Sequence, residues 1–338
     1  MRNFYSKTFF LAATLAIFMQ ATAQDIHFSQ FYETPLYRNP ALAGIVSGDV
    51  RVQSVYRTQW NSIAHAYQTA SLNAEYKMPV GKSDDYITAG IQFFYDKAGT
   101  TELTTTQAMP ALNYHKSLSN EKNMYLSLGF MGGIVQRHLD PSKMTTNSQY
   151  DGLGTGENLP TTCYSYPDGA AGLSFNTSLN DNPENNLVLG VAYHHFNRPR
   201  NTFYNTTGLR LDPKWVYSAD LRFGVSDNSY ITIRADHAIQ GPFSETIAGM
   251  MYGIKVGNDG ENYVAAIHGG AFIRFNDCII PTLKLDYHPF SIAFSYDVNI
   301  SKLKTSSYGR GGSELSVSYI GFLDRDNSSL NAVHCPKF

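Results

Sequence analysis

The sequence is short of long apolar runs, cysteines and charges, and each scarcity excludes a class of protein. After residue 23 no stretch reaches 18 consecutive apolar residues, which excludes a membrane-spanning helix. Three cysteines among 338 residues are too few for a disulfide scaffold. Charged residues make up 16% of the chain, the formal net charge is −2, and no run of like charges indicates a nucleic-acid partner.

Motifs for catalysis and metal binding are also missing. No CxxC, HExxH or GxSxG occurs, so we expect no enzymatic activity, cofactor or metal site. The stretch DGLGTGENL (151–159) resembles a nucleotide-binding loop, but that loop needs a strand before it and a helix after it, and we interpret it as a flexible surface loop. His194 and His195 are neighbours on one strand and should point to opposite faces, so they cannot share a metal.

The first 23 residues have the pattern of a signal peptide. Arg2 and Lys7 precede the apolar run TFFLAATLAIFM, and the small residues Ala21 and Ala23 fit a cleavage site before Gln24. The apolar run is too short for a membrane anchor. We therefore predict export from the cytoplasm.

Aromatic residues are abundant, with 23 Tyr and 20 Phe, and many alternate with polar residues. In HPFSIAFSYDVNIS, Phe290, Ile292 and Phe294 fall on one face, and Ser291 and Ser295 fall on the other. Such alternation between turns predicts strands. Fourteen are expected, near 49–60, 66–77, 86–96, 103–116, 123–136, 167–178, 186–196, 213–225, 229–239, 243–256, 262–275, 278–288, 289–300 and 313–323, although weak alternation at 103–116 and 262–275 leaves twelve or sixteen open.

Strand length separates two architectures, a soluble β-sandwich or propeller and a transmembrane antiparallel β-barrel. Strands of about 9–11 residues can cross a bilayer, whereas sandwich strands are nearer five or six. The longest connections, about 137–166 and 197–212, have the parity of outward loops if both chain ends are periplasmic. We predict an outer-membrane barrel over 48–324, with aromatic girdle residues that include Tyr56, Trp60, Tyr76, Tyr95, Trp215 and Tyr287.

Five motifs give the sequence a family resemblance. They are HFSQFYETPLYRNPALAG (27–44), YRTQWNSI (56–63), YDVNIS (296–301), GGSELSVSY (311–319) and CPKF (335–338). In this order they resemble the PorP/SprF family of type IX secretion system outer-membrane proteins of the Bacteroidota. One departure is Ser313, where the family usually has Phe.

The resemblance implies a fourteen-stranded barrel that is not a general porin. It implies an accessory of type IX secretion and gliding motility that binds a secreted cargo protein with a type B C-terminal sorting domain. It also implies contact with the type IX translocon or a peptidoglycan-associated periplasmic component, in addition to outer-membrane lipid. The residues alone leave two rivals open, a channel for small solutes and a barrel lipase.

Residues 24–47 fit neither a strand nor a long helix, because Pro35 and Pro40 favour an extended or turning chain. We interpret them as a periplasmic or lumen-inserted segment that plugs the barrel or docks a partner, and a simple lid over the periplasmic end is the alternative. Residues 325–338 are expected to form a periplasmic tail. The candidate plug or partner-binding residues are Phe28, Phe31, Tyr32, Tyr37, Asn39, Pro40, Cys335 and Phe338.

Charges of both signs fall on the predicted inward faces. They can fill the lumen with ion pairs or line a water channel, and the interspersed signs favour filling. Cys163 and Cys278 lie on the predicted outer side and could form a disulfide, whereas Cys335 lies across the membrane. The inward charged residues are Arg51, Arg57, Glu75, Lys77, Asp96, Arg222, Arg234, Asp236, Lys284 and Asp286.

Overall fold

A computed structural model gives the architecture of most of the chain. The predicted signal peptide and the predicted tail with Cys335 and Phe338 lie outside the described residues, and so do Trp60 to Ile63 of the second motif. The structure describes residues 25–59, 67–81, 84–119, 122–152, 156, 159–180, 185–204, 208–257, 264–302 and 304–323.

Fourteen antiparallel strands form a closed barrel, in which each strand pairs with the next along the chain and β14 pairs with β1. The predicted fold class is confirmed. The strands are β1 (Val50–Gln59), β2 (Tyr67–Pro79), β3 (Tyr86–Ala98), β4 (Leu103–Ser119), β5 (Met124–His138), β6 (Cys163–Ser178), β7 (Asn186–His194), β8 (Lys214–Ser226), β9 (Ser229–Gln240), β10 (Phe243–Val256), β11 (Ala265–Arg274), β12 (Cys278–Tyr287), β13 (Phe290–Asn299) and β14 (Arg310–Gly321).

The strand starts differ from prediction where pairing with a neighbour extends a strand. Strand β6 begins at Cys163, before the predicted residue 167, because Cys163 pairs with His138 of β5. Strand β14 begins at Arg310, which pairs with Val298 across a register shift. Alternation within one strand cannot reveal pairing with another, so these boundaries depend on tertiary structure.

The strands alternate as predicted. On β13 the side chain of Phe294 is 50% exposed on the outer surface, whereas its neighbour Ser295 is fully buried inside the barrel. The described members of the predicted girdle, such as Tyr56 and Trp215, are also exposed. The outer surface is therefore the apolar face that a bilayer covers.

One end of the barrel has an uneven edge. We call the end where β1 begins and β14 ends the near rim, and the opposite end the far rim. Connections 139–162 and 195–213 lie at the far rim, and β6 continues there beyond its pairing with β7, which starts at Ala170. The turn between β9 and β10 at the same rim is only residues 241–242. The far rim therefore has a tall wall at β4–β6 and a low wall at β9–β10.

Residues 25–47, here called the lumen segment, run inside the barrel from the far rim to the near rim. Asp25 therefore lies at the far rim, beside His195 and Gln240, and β14 ends at the near rim, which corrects the expectation that both chain ends lie on the periplasmic side. Three short helical turns shape the segment, and Pro35 and Pro40 occupy first positions of two of them, where a missing N–H costs nothing. No helix among the described residues is long and apolar enough to cross a membrane. The turns are Phe31–Glu33, Pro35–Arg38 and Pro40–Leu42.

Candidate functional site

The far-rim half of the lumen segment is held by a carboxylate of the last strand. Glu314 accepts hydrogen bonds from the backbone nitrogens of Ser29 and Gln30 at 2.8 and 2.7 Å. Arg57 donates to the carbonyl of His27 and to the carboxylate of Asp297. These buried charges are therefore paired with the segment and with each other, which lowers the cost of burying them.

Arg38 joins the lumen segment to two carboxylates of the barrel wall at once. Its Nε donates to Asp236 at 2.7 Å, and its Nη1 and Nη2 donate to Asp220 at 2.6 and 2.9 Å. All three side chains are buried. This fork geometry is specific to arginine, because guanidinium offers paired donors to two carboxylates at once.

Aromatic rings of the lumen segment pack into two apolar clusters. Tyr37 stacks on Phe94 of β3 with ring centroids 5.5 Å apart, and Phe28 meets the same ring edge-on. Phe31 and Tyr32 pack against Phe272 of β11 at 5.7 and 5.3 Å. The aromatic residues that the sequence singled out thus bury their rings against opposite sides of the barrel.

Asn39 and Pro40 lie where the segment passes closest to β5–β7. The amide nitrogen of Asn39 donates to the carbonyls of Leu173 and Val191 at 3.1 and 3.3 Å. The side-chain oxygen of Asn39 accepts from the backbone nitrogen of Ala41 at 2.8 Å. The amide therefore joins the segment to two strands while it caps the turn that starts at Pro40.

Two glycines of the wall make room for this approach. A Cβ at Gly129 of β5 would run into the backbone of Pro40 and Ala41, and one at Gly172 of β6 would run into the side chain of Asn39. Only glycine allows the segment's backbone to lie this close to the strands.

The near-rim half of the segment meets a second set of polar side chains. Asn113 donates to the carbonyls of Ala41 and Ala43 at 2.8 and 2.9 Å. Glu75 accepts from the backbone nitrogen of Gly44 at 2.8 Å and pairs with Arg51 at 2.7 Å. The remaining strands also reach the segment, because His27 lies 3.1 Å from Glu245 of β10, Glu33 pairs with Lys284 of β12, and Gln30 donates to Ser295 of β13. Side chains or backbone groups of all fourteen strands therefore touch the segment.

The charged residues predicted to face inward do so. Lys284 pairs with Glu33 of the segment at 2.9 Å, Arg234 lies over the ring of Tyr32, and Arg222 lies over the ring of Tyr230. Asp96 accepts a hydrogen bond from Thr69, and Asp286 pairs with His268. Filling of the lumen by such pairs, rather than lining of a channel, is the arrangement that these contacts favour.

The prediction for the two adjacent histidines was wrong. Both lie inside the barrel, because His195 follows the last residue of β7 with a positive φ of 56°, which ends the alternation. His194 contacts the carbonyl of Arg38, and His195 lies between Asp25 at 2.7 Å and Asp168 at 2.6 Å. Among the described residues, no group of three or more His, Cys, Asp or Glu could hold a metal ion.

His195 links the far-rim end of the lumen segment to the barrel wall through its contacts with Asp25 and Asp168. Burial lowers its pKa, but the charge of Asp25 and hydrogen bonds to Asp168 and Asp25 outweigh burial and raise the pKa to about 9. Lys214 lies 3.6 Å from the same Asp25 carboxylate. A protonated His195 therefore holds the segment to the far rim near neutral pH.

The far rim also carries an aromatic cluster above the segment, formed by Tyr164, Tyr166 and Phe203. Tyr164 meets Phe203 edge-on at 4.8 Å and stacks with Tyr166 at 6.0 Å. The hydroxyl of Tyr164 donates to Asn201 at 2.6 Å, and Arg137 donates to the same oxygen. The tall wall and the connection 195–213 thus share one half-buried surface.

The structure corrects the disulfide that the sequence allowed. Cys163 and Cys278 are both free thiols; Cys163 is exposed at the start of β6, and Cys278 is buried inside the barrel at the start of β12. Six strand positions around the barrel separate them. Loop parity placed both cysteines at the far rim. It could not show that Cys163 lies on the outer face of the barrel and Cys278 on the inner face, nor that their strands are far apart around the barrel.

Sequence reasoning missed the residues of the wall that hold the segment. Glu314 and Asn113 lie among many inward polar residues, and nothing in the sequence marks them as contacts of residues 25–47. Arg38 had a usable signal, because it is a lone cation between aromatic and apolar residues of the segment. A cation in such surroundings needs an acidic partner inside the protein.

A comparison with protein-family models decides the family. The model described as "Type IX secretion system membrane protein PorP/SprF" matches residues 20–319. The chain belongs to the PorP/SprF family. It is therefore an outer-membrane protein of type IX secretion, as the resemblance implied. Membership in this family points to a secretion protein rather than an enzyme. No curated protein matches the sequence.

Solved structures that resemble the PorP/SprF chain are membrane barrels of low sequence identity. The Pseudomonas putida toluene transporter TodX is 12% identical, with a TM-score of 0.47, over 88% of this chain and 95% of that one. The CymD monoaromatic hydrocarbon channel is 10% identical, with a TM-score of 0.47, over 87% and 94%. BamA from Haemophilus ducreyi lacking POTRA domains 1–3 is 9% identical, with a TM-score of 0.42, over 80% and 70%.

Proposed function

We propose that this PorP/SprF protein is a binding accessory of type IX secretion that does not conduct solutes. The observation that supports the proposal is the lumen segment, which fills the barrel and contacts every strand. A porin needs a water-filled lumen. Here the lumen holds buried ion pairs and packed aromatic rings, so the protein acts through its rims.

The far rim is the surface that we assign to a secreted cargo protein with a type B C-terminal sorting domain. Its aromatic cluster and tall wall offer a half-buried, shaped surface, and aromatic residues are enriched at protein interfaces. The near rim, where loop parity predicts the periplasm, is available to the translocon or to a peptidoglycan-associated component. Lipid covers the apolar outer face.

The cargo proposal predicts that the double variant Tyr164→Ala, Phe203→Ala reduces cargo export while the barrel still folds. Loss of the two rings removes the centre of the proposed surface but no strand pairing. Cells that carry the variant are assayed for cargo in the medium, and heat-modifiable gel migration reports the barrel. Tyr150→Ala is the matched control, because Tyr150 is a far-rim aromatic that is 96% exposed. Normal export by the double variant would remove the far-rim cluster from cargo binding.

A channel for small solutes is the alternative function. Conductance in planar bilayers separates the two, because a filled lumen should carry little steady current. We expect low conductance from the full chain and higher conductance from a variant that lacks residues 25–40, since strand pairing begins only at Val50. If the full chain conducts as much current as the deletion variant, the channel function is favoured.

A further inference from the structure

We infer that the inner wall of the barrel is a peptide-binding site, which the lumen segment occupies in cis and which recognises its ligand mainly through the peptide backbone. The inference concerns the lumen, whereas the proposed cargo surface lies at the far rim. Either can therefore fail without the other.

Donors on the wall reach the carbonyls of the lumen segment along its near-rim half. Asn113 bonds two of them, Arg51 reaches the carbonyls of Leu42 and Ile45 at 3.3 and 3.4 Å, and Lys77 reaches that of Val46 at 2.9 Å. These contacts do not depend on which side chain the bound residue carries.

Acceptors on the wall take the backbone nitrogens of the segment. Glu314 takes two, Glu75 takes that of Gly44, and Gln240 takes that of Asp25 at 2.9 Å. Hydrogen bonds from backbone N–H groups to carboxylates are charge-assisted and are stronger than those between neutral groups.

The segment needs these partners, because it cannot satisfy its own backbone. Its internal backbone-to-backbone hydrogen bonds join residues only two to four positions apart, and it pairs with no strand edge of the closed barrel. A buried backbone group without a partner is costly, so the wall side chains take the place of a sheet. Some of these contacts join residues far apart in sequence, such as Gln30 and Glu314, which are 284 positions apart. Side chains of the wall contact the backbone of the segment at both of its ends, at Asp25 and at Val46.

Two side chains add selectivity to this backbone recognition. Phe31 enters an apolar cluster with Ile247, Phe272 and Ile280 of the wall, and Arg38 takes the carboxylates of Asp220 and Asp236. The site therefore suits a peptide of about twenty residues that carries an aromatic residue and, seven positions later, an arginine.

Cleavage of the connection at the near rim tests the inference in the complete protein. A specific protease sequence is inserted between Ser47 and Gly48, the full chain is folded in micelles, and the connection is then cut. We expect the cut segment to co-migrate with the barrel and to exchange with a fluorescent peptide of residues 24–47. Binding is measured by anisotropy and should be saturable.

Matched peptides and proteins separate recognition from adsorption. A peptide with Arg38→Ala should bind at least tenfold more weakly, and one with Ser47→Ala, at the half-buried end of the segment, should bind like the native sequence. Uncut protein should take up none, because the tethered segment competes at high effective concentration. If the insertion prevents folding, the uncut Arg38→Ala protein replaces it, since its weakened resident segment should yield to the native peptide.

Saturable uptake that depends on Arg38 supports the inference. Two results without peptide uptake overturn it. In one, the cut segment dissociates from the barrel and no peptide replaces it; in the other, the cut segment stays bound and does not exchange with the peptide. Equal uptake of the native and Arg38→Ala peptides also overturns it, because the wall would then have no selectivity.

Discussion

The outward and inward faces of the same strands present opposite chemistry to opposite surroundings. On β13 the outward residues Phe294 and Tyr296 meet the region of lipid, whereas inward Ser295 and Asp297 meet the lumen segment. Both sets are removed from water in the membrane. A polar face is therefore not necessarily a solvated face in this barrel. The inner face is polar, and it is packed against the lumen segment in the way that a protein core is packed.

Removal of a charge from the packed inner face should have the largest effect. Arg38→Ala leaves Asp220 and Asp236 buried without their partner, which costs about 3–5 kcal/mol of unfolding free energy. Denaturant titration in bilayers measures the loss. Arg198→Ala is the control, because Arg198 is exposed in its pair with Asp212 and should cost about 1 kcal/mol or less. Equal losses would mean that the inner face is solvated.

Addition of a charge to the outer face should have the next largest effect. Phe294→Arg places a guanidinium near the middle of β13 on the lipid side, where hydrocarbon offers no hydrogen bond, and should cost about 2–4 kcal/mol. Phe294→Leu keeps the position apolar and should cost far less. The temperature of heat-modifiable gel migration compares the two. A tolerated arginine would place this face in water rather than in lipid.

Alanine substitutions at two glycines of β5 add one methyl group to the inner face or to the outer face of the same strand. Gly129→Ala, on the inner face, collides with the backbone of Pro40 and Ala41 and should cost about 1–3 kcal/mol by overpacking. Gly132→Ala, on the outer face, has its nearest neighbour at an ordinary 3.7 Å and should be nearly neutral. Denaturant titration of both variants measures the difference. A neutral Gly129→Ala would show that the segment yields easily.

The smallest effect is expected from pH at the far-rim end of the segment. His195 has a pKa raised to about 9, above its ordinary 6.5, so its contribution to stability is full below pH 6.5 and is lost as the pH rises through 9. The melting temperature of the native protein should fall between pH 6.5 and 9.5 more than that of His195→Gln. Asp168, Asp25, Lys214 and His194 surround the ring. Parallel shifts in both proteins would remove His195 as the cause.

Membership in the barrel class, the strand count and the facing of most residues were predictable from sequence. A strand has a period of two, so Phe290, Ile292 and Phe294 identify the outer face without any knowledge of neighbouring strands. The facing of His195 was not predictable, because one left-handed residue ends the period. The suggested disulfide between Cys163 and Cys278 was wrong for a related reason. Loop parity shows at which rim a cysteine lies, but it does not show where around the barrel its strand stands.

By itself the sequence determined the alternation of apolar and polar residues, and with it a closed barrel whose outer face is apolar. Only the tertiary structure decided which inward groups hold residues 25–47, because Arg38 meets Asp220 and Asp236 across nearly 200 positions of sequence. Local patterns arise from backbone geometry within a few residues. Pairing of buried charges depends on closure of the barrel, which brings all fourteen strands around one segment.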